Sequence, residues 1–166
     1  MTAGPERTLI VRRMLLADLD AVVEIERAAH KHPWSADLIR RELDHDWSVV
    51  LVAIERESID GAVVDRLAGH IIFWLVHDEI HVLNVATAPE FRRRGYGRTL
   101  MMEAEARGEP RGAVLSTLEV RKSNEAALTL YRSLGYRQVG LRPRYYADDN
   151  EDAIVMVKDL ARSPHA

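Results

Sequence analysis

One stretch of this chain joins an extended segment to a helix start through a glycine-containing turn. It runs from Val85 to Arg98 and reads VATAPEFRRRGYGR. The alternation before Pro89 is typical of a strand, and good helix formers follow Gly97. The first turn of a helix offers free backbone N–H groups and a partial positive charge, and glycine lets a ligand approach them closely. The stretch therefore predicts a phosphate-binding turn between a strand and a helix.

Two familiar phosphate-binding motifs do not fit this turn. The Walker motif needs a lysine after the glycines, and the dinucleotide-binding motif needs a third glycine where this chain has Leu100. The spacing that is present is Arg-x-x-Gly-x-Gly, which ends at Gly97. Further along, LEVRKSNEAALTLYRSLGY, from Leu118 to Tyr136, predicts a strand, a cap and a helix that Gly135 ends.

Together these stretches resemble the GNAT superfamily of acetyl-CoA-dependent N-acetyltransferases. The LEVR to LGY pattern, the earlier AHKHPWS that ends at Ser35, and the later RYY at Arg144 with EDA at Glu151 are similar to the bacterial ribosomal-protein alanine N-acetyltransferases of the RimI type. The tail also resembles catalytic subunits of eukaryotic and archaeal N-terminal acetyltransferases. The resemblance extends from Leu9 to Leu160. It implies an α/β GNAT fold, a single mixed, mostly antiparallel central sheet of about seven strands flanked by about four helices.

The same resemblance implies an acetyl-CoA-dependent enzyme that acetylates the N-terminal amine of a protein, namely the alanine of a small-subunit ribosomal protein. The pantetheine arm of acetyl-CoA would bind the backbone at the end of the fourth strand, and backbone amides of the arginine-glycine turn would bind the pyrophosphate. A further cofactor contact is implied at Asn124, whose residue type also suits a helix cap. The implied cofactor-binding residues are Val85, Ala86, Thr87, Arg93, Arg94, Gly95, Tyr96, Gly97, Arg98 and Asn124.

Glu119 and Tyr131 are the candidate catalytic residues. Acetyl transfer needs a neutral amine, so a carboxylate that removes the ammonium proton suits the reaction. Glu119 interrupts an apolar strand, although a glutamate on the solvent face would look the same in sequence. Tyr131 would donate its phenolic proton to the coenzyme A thiolate, but its helical spacing from Ala127 and Leu134 also suits core packing. The resemblance favours the catalytic roles.

Three aromatic residues are candidates for binding the substrate. Tyr145 and Tyr146 follow the predicted sixth strand and precede an acidic, turn-forming run, so they are expected on a loop. Trp34 lies in the segment between the first two predicted helices. The resemblance implies that these residues line the peptide groove, with the acidic run facing a basic tail.

Composition limits the partners and the compartment. The net charge of −3 does not favour nucleic-acid binding, and neither a membrane-spanning run nor a signal peptide is evident. With no cysteine among the 166 residues, disulfides and thiol nucleophiles are excluded. We expect a cytoplasmic protein of one acetyltransferase domain over residues 1–166, a monomer or weak oligomer, with no direct contact to nucleic acid or membrane. The HxExH at His77 is not a zinc motif, and we expect no metal.

Other functions stay open at this point. Within the enzyme class, the substrate could instead be a broader set of protein N-termini, a lysine side chain or a small amine. A noncatalytic acetyl-CoA-binding module that regulates a partner is the alternative outside that class. Such a binder would need neither Glu119 nor Tyr131.

Two stretches carry specific structural expectations. The charged residues from Glu55 to Asp65 predict a long polar loop between the second and third strands. The sequence Gly108-Glu109-Pro110 predicts that the helix after the phosphate-binding turn ends or kinks there, because proline interrupts helical hydrogen bonding.

Overall fold

Seven strands and four α-helices lie along residues 4–160, the part of the chain that the computed structural model describes. The strands are β1 (Glu6–Arg13), β2 (Ser48–Ile59), β3 (Ala62–Val76), β4 (Glu79–Thr87), β5 (Leu115–Arg121), β6 (Arg137–Arg142) and β7 (Ala153–Asp159). The helices are α1 (Leu19–Ala29), α2 (Ala36–Glu42), α3 (Tyr96–Gly108) and α4 (Glu125–Ser133). The seven strands form one sheet in the order β1-β2-β3-β4-β5-β7-β6. The predicted α/β fold with a seven-stranded sheet and four helices is confirmed for this part of the chain.

The described residues form two compact units. The first contains residues 4–72 and 84–100, and the second contains residues 73–83 and 101–160. The expected single domain covers 1–166, of which 1–3 and 161–166 lie outside the described residues. That expectation stays a prediction.

The first unit begins with an antiparallel pair in which β1 runs beside β2, with Glu6 opposite Ser58. The first eight residues of β2 are all buried, which explains their nearly continuous apolar sequence. Helix α1 buries an apolar stripe that includes Val22 and Ile25. The predicted cap of α2 is confirmed, because the Ser35 hydroxyl accepts a hydrogen bond from the backbone N–H of Leu38 at 3.2 Å.

The predicted long loop from Glu55 to Asp65 is wrong. Strands β2 and β3 extend through these residues and leave only Asp60 and Gly61 between them. Both turn residues have positive φ, 50° and 83°, which suits an Asp-Gly hairpin turn. The charges that suggested a loop lie on the strands themselves, where the Arg56 guanidinium binds the Asp65 carboxylate at 2.8 and 2.9 Å. Exposed hairpin strands that carry many charged residues therefore resemble a loop in sequence.

The second unit is organised around β5. Strand β5 runs parallel to the first half of β4, with His81 opposite Thr117, and antiparallel to β7, with Glu119 opposite Val155. Strand β6 pairs antiparallel with β7 and has an irregularity in register between Gln138 and Gly140. The sheet is therefore mixed, as the family resemblance implied.

Helix α3 ends at Gly108, and a short 3-10 turn over Glu109–Arg111 follows it. The predicted helix end is confirmed. The glycine also has a packing reason, since an added Cβ at Gly108 would lie 2.5 Å from Cδ1 of Ile80. The close approach of the helix end to β4 therefore favours glycine, because a larger residue would displace the side chain of Ile80.

Among residues 4–160, no helix is both long enough and apolar enough to cross a lipid bilayer.

Candidate active site

The end of β4 lies close to its neighbour in the sheet. Along this segment Ala86 is buried, while Val85 and Thr87 are half-buried. An added Cβ on Gly69 would lie only 2.7 Å from the backbone oxygen of Ala86, and the N–H of Ala88 donates to the oxygen of Ala68 at 2.8 Å. The backbone of Ala86, one of the three residues predicted to bind pantetheine, thus lies tightly against β3.

The turn that is predicted to bind phosphate has a backbone conformation that suits an anion site. Arg93 and Gly95 have positive φ values of 65° and 77°. Left-handed residues in a turn direct successive N–H groups into one concavity. Helix α3 begins at Tyr96, and its first turn closes with the N–H of Thr99 on the oxygen of Gly95 at 3.0 Å. An added Cβ at Gly95 would meet nothing within 4 Å, so glycine is favoured there by its backbone angle.

The side chain of Arg94 has a structural partner. Its Nη1 donates to both carboxylate oxygens of Glu55, at 2.6 and 2.8 Å, and its guanidinium lies over the ring of Phe91. Glu55 is buried on β2, with 5% of its surface exposed. This ion pair ties the turn to the sheet, which leaves the backbone of Arg94 as its predicted contribution to cofactor binding. The sequence did not predict this role for Glu55, because the charged residues from Glu55 onwards indicated a loop.

Glu119 lies on β5 with 11% of its side chain exposed. Its Oε2 lies 2.7 Å from Nε2 of His81, and its Oε1 lies 3.6 Å from Nη2 of Arg142. The hydrogen bond from His81 lowers the pKa of Glu119 below its usual value. Desolvation by burial acts in the opposite direction, and electrostatic interactions with His81 and Arg142 lower the pKa further. Glu119 is therefore a half-buried carboxylate with an imidazole on one side and a guanidinium on the other. The interpretation of a glutamate on the open solvent face does not describe it.

His81, the hydrogen-bond partner of Glu119, was not among the site residues predicted from the sequence. Its ring lies nearly perpendicular to that of Trp74, with 5.9 Å between the ring centroids. The sequence places His81 on a predicted strand in which polar and apolar residues alternate. It does not show the parallel register of β4 and β5, which brings His81 close to Glu119.

Tyr131 lies on α4 and is 9% exposed. Its ring packs against Tyr136 at a centroid distance of 5.9 Å. Burial raises the pKa of Tyr131 to about 12, so the phenol stays protonated throughout the physiological range. The core-packing role is therefore observed, and the protonation state is the one that a proton donor needs.

Asn124 caps helix α4. Its Oδ1 accepts a hydrogen bond from the N–H of Ala127 at 3.2 Å. The capping role is confirmed, and the cofactor contact stays a prediction.

Tyr145 and Tyr146 lie in the segment between β6 and β7, as predicted. Their rings meet edge to face at 5.1 Å, and guanidinium groups cover both, Arg142 over Tyr145 at 5.4 Å and Arg121 over Tyr146 at 3.9 Å. The acidic run that was expected to face a basic tail also binds Arg121, through the carboxylates of Asp148, Asp149 and Glu151. The acidic charge therefore orders this segment around Arg121.

Trp34 is held by a buried carboxylate. Its backbone N–H donates to Oε2 of Glu26 at 2.9 Å. Glu26 is fully buried on α1, and it also accepts hydrogen bonds from Nδ2 of Asn84 at 2.9 and 3.0 Å. Nε2 of His70 lies 3.2 Å from Oε1 of Glu26, and Nε2 of His30 lies 3.5 Å from it. We call Glu26, His30, Trp34, His70 and Asn84 the Glu26 cluster; no sequence pattern pointed to it.

Comparison with known proteins identifies the family of the chain. The model of the acetyltransferase (GNAT) family matches residues 19–136. The chain is 38% identical over 146 residues to the ribosomal protein bS18-alanine N-acetyltransferase of Salmonella typhimurium, which covers 87% of this chain and 93% of that protein.

Solved structures share the fold. The crystal structure of the ribosomal-protein-S18-alanine N-acetyltransferase from Escherichia coli has a TM-score of 0.78 at 31% identity, over 95% of this chain and 97% of that one. The PaiA N-acetyltransferase of Thermoplasma acidophilum, solved in complex with coenzyme A, has a TM-score of 0.72 at 18% identity, over 92% of this chain and 99% of that one.

Proposed function

Since the chain belongs to the GNAT family of acetyltransferases, we propose that it transfers the acetyl group of acetyl-CoA to the N-terminal α-amine of a protein. That it is an N-acetyltransferase follows from the family and from the curated relatives. The proposed substrate is the N-terminal alanine of a small-subunit ribosomal protein, because the similar proteins of Salmonella typhimurium and Escherichia coli are named for that reaction. Such a substrate would place the reaction in the cytoplasm.

The cofactor proposal uses the backbone of two neighbouring segments. Val85, Ala86 and Thr87 would pair with the amide groups of the pantetheine arm, in the manner of an added strand. Backbone amides of Arg93 to Arg98, including those of Gly95, Tyr96 and Gly97, would bind the pyrophosphate. The left-handed angles of Arg93 and Gly95 and the start of α3 at Tyr96 support this assignment. Asn124 is proposed as a further contact.

The proposed reaction is direct transfer without an acyl-enzyme, since the chain has no cysteine nucleophile. The amine loses a proton, its nitrogen bonds to the thioester carbonyl carbon, and the carbon–sulfur bond breaks. Glu119 is the proposed general base and Tyr131 the proposed general acid for the thiolate. Trp34, Tyr145 and Tyr146 are proposed to bind the peptide. The observation that carries the catalytic proposal is the half-buried, hydrogen-bonded carboxylate of Glu119, which a simple binding module has no need to hold.

Cofactor binding is tested by thermal unfolding with and without acetyl-CoA. A ligand that binds the native state raises the melting temperature in proportion to ln(1 + [L]/Kd), so acetyl-CoA should raise it and dephosphorylated pantetheine should do so much less. Gly97→Glu should abolish the shift by adding bulk and negative charge, while the matched Gly97→Ala should retain it. Absence of a shift and of measurable binding in the wild type would refute the cofactor proposal.

Substrate class is tested with short peptides whose acetylation is measured by mass. Peptides that begin with alanine should be acetylated in preference to other first residues, and an N-terminally blocked peptide with an internal lysine should react poorly. A lysine amine has a pKa of about 10.4 against about 8 for an α-amine, so less of it is neutral. Acetylation of internal lysines alone would instead identify a lysine acetyltransferase, and binding without transfer to any amine would identify a regulatory module.

A further inference from the structure

The contact between β4 and β5 places an imidazole against the proposed base. Nε2 of His81 and Oε2 of Glu119 lie 2.7 Å apart, the short distance typical of a charge-assisted hydrogen bond. Because a carboxylate can only accept, Nε2 carries the proton in this contact. In the neutral ring the other nitrogen, Nδ1, then holds the lone pair. Carboxylate binding therefore selects one tautomer of His81.

The surroundings leave that lone pair available. The side chain of His81 is 28% exposed, compared with 11% for Glu119. Among residues 4–160, Nδ1 of His81 makes no hydrogen bond, whereas Oε2 of Glu119 is bound to His81 and Oε1 lies near the guanidinium of Arg142. In this pair the imidazole is thus the more accessible acceptor.

We propose that the proton of the substrate ammonium passes to Nδ1 of His81, directly or through a water molecule, while Glu119 stays ionised and holds the ring. The inference rests on the proposed function and deepens it, because the base becomes the His81–Glu119 pair. The proton moves from the amine nitrogen to Nδ1, and the resulting imidazolium is stabilised by the carboxylate at Nε2. The amine then attacks the thioester carbonyl, the carbon–sulfur bond breaks, and the departing thiolate takes its proton from Tyr131. The second proton, which the nitrogen loses as the amide forms, returns Tyr131 to its neutral form through water. A histidine held by a carboxylate is a recurrent arrangement for proton transfer.

The chemistry favours an imidazole over a carboxylate for this step. An α-amine in a model peptide has a pKa of about 8, against about 4.3 for a glutamate, a mismatch on the order of 10⁴ in the proton-transfer equilibrium. The contact with His81 lowers the pKa of Glu119 further, which makes the carboxylate a poorer acceptor. Histidine is the side chain that ordinarily changes protonation near neutral pH, so it meets the amine with a smaller mismatch.

Few other charges face the pair. Arg142 of β6 lies beside Glu119, and Tyr146 of the segment before β7 interacts electrostatically with Glu119. Trp74 of β3 meets the His81 ring and does not titrate. The pKa of Tyr146 is raised to about 12, mainly by burial, so this phenol stays neutral across the assay range. A pH dependence that changes in a His81 variant is therefore assigned to the His81–Glu119 pair.

The test uses a substitution that keeps the hydrogen bond from residue 81 to Glu119 but removes the nitrogen that would accept the proton. His81→Gln places an amide NH₂ near the position of Nε2, where it still donates to Glu119, but it offers no basic nitrogen. If His81 accepts the proton, His81→Gln should lower kcat on an alanine-first peptide by on the order of 10²-fold or more, and the fall of kcat on the acid side should disappear. If His81 only holds Glu119, His81→Gln should keep kcat within about tenfold with an unchanged pH profile, which would overturn the inference.

A second histidine serves as the control. His77 lies exposed in the turn between β3 and β4 with a φ of 53°, an angle that asparagine tolerates. His77→Asn should leave both kcat and the pH profile unchanged. Nitrogen-15 NMR of the full chain gives a readout besides activity, since the wild type should show His81 protonated at Nε2 and Glu119→Gln should relax that preference. His81 protonated at Nδ1 in the wild type would also overturn the inference.

The outcomes distinguish this inference from the proposed function. If the wild type acetylates alanine-first peptides and Glu119→Gln is slow while His81→Gln is near wild type, only the role of His81 fails. If the wild type acetylates no N-terminal amine, the proposed function fails, and the NMR result still decides the tautomer.

Discussion

Removing the carboxylate of Glu26 should destabilise the fold severely. Glu26 is fully buried on α1, where its two oxygens accept hydrogen bonds from the backbone of Trp34, the amide of Asn84 and the ring of His70. Glu26→Ala takes away the acceptor for all three donors, of which those of Asn84 and His70 are buried and that of Trp34 is half-buried. Glu24→Ala is the matched control, because Glu24 lies on the same helix and is exposed.

The magnitude follows from the three donors. Each buried donor that loses its partner costs about 1–3 kcal/mol, and removing one member of a buried charged pair typically costs about 3–5 kcal/mol. Partial relaxation and water entry reduce a simple sum, so we expect Glu26→Ala to lower the free energy of unfolding by about 3–5 kcal/mol. For a chain of this size, about 2–4 °C per kcal/mol corresponds to a fall in melting temperature of roughly 6–20 °C.

Urea unfolding and calorimetry measure this effect. Glu24→Ala should change the free energy of unfolding by no more than about 0.5 kcal/mol. A loss of unfolding free energy below about 1 kcal/mol in Glu26→Ala, or one no larger than in Glu24→Ala, would refute this prediction. The Glu26 cluster would then contribute little to stability.

The carboxylate of Glu26 should also make the stability of the fold depend on pH. Burial alone would raise the pKa of Glu26, but the hydrogen bonds from His70 and Trp34 and the charges of His30 and His70 outweigh it, so the pKa is lowered from 4.5. A lowered folded-state pKa stabilises the fold above pH 4.5, and that stability is lost as pH falls through the folded value. Glu26→Gln should therefore be less stable at neutral pH and lose less on acidification, as measured by melting temperature from pH 7 to 3.

Three further outcomes are expected. Tyr131→Phe should keep the melting temperature within a few degrees, because the ring packing against Tyr136 remains, yet slow transfer by on the order of 10²-fold; an unchanged rate would leave Tyr131 as a packing residue. Tyr145→Ala and Tyr146→Ala, made singly, should raise KM for peptide in at least one case without altering acetyl-CoA binding, and unchanged peptide kinetics in both would remove them from the substrate site. Gly69→Ala should lower the free energy of unfolding by about 1–3 kcal/mol, because its Cβ would lie 2.7 Å from the Ala86 oxygen. Gly140→Ala, whose Cβ would have its nearest contact at 4.0 Å, should lower it by less. Equal losses in the two variants would contradict the close approach of β3 to β4.

Local signals in the sequence were sufficient wherever the structure depends on neighbours along the chain. Ser35 and Asn124 cap their helices as their residue types predict, and α3 ends before Pro110. The family resemblance supplied the sheet and the helix count. The hairpin turn at Asp60 and Gly61 carried its own signal, but charged residues on both strands obscured it.

Tertiary structure alone decided which distant side chains meet. His81 and Glu119 are 38 residues apart, Arg94 and Glu55 are 39 apart, and Glu26 reaches Asn84 across 58 residues. Local propensity and periodicity determine whether a segment becomes a strand and which face it buries, but they do not determine the register between two strands. The parallel register of β4 and β5 places an imidazole against the carboxylate, and a register shifted by one residue would have turned His81 to the opposite face of the sheet.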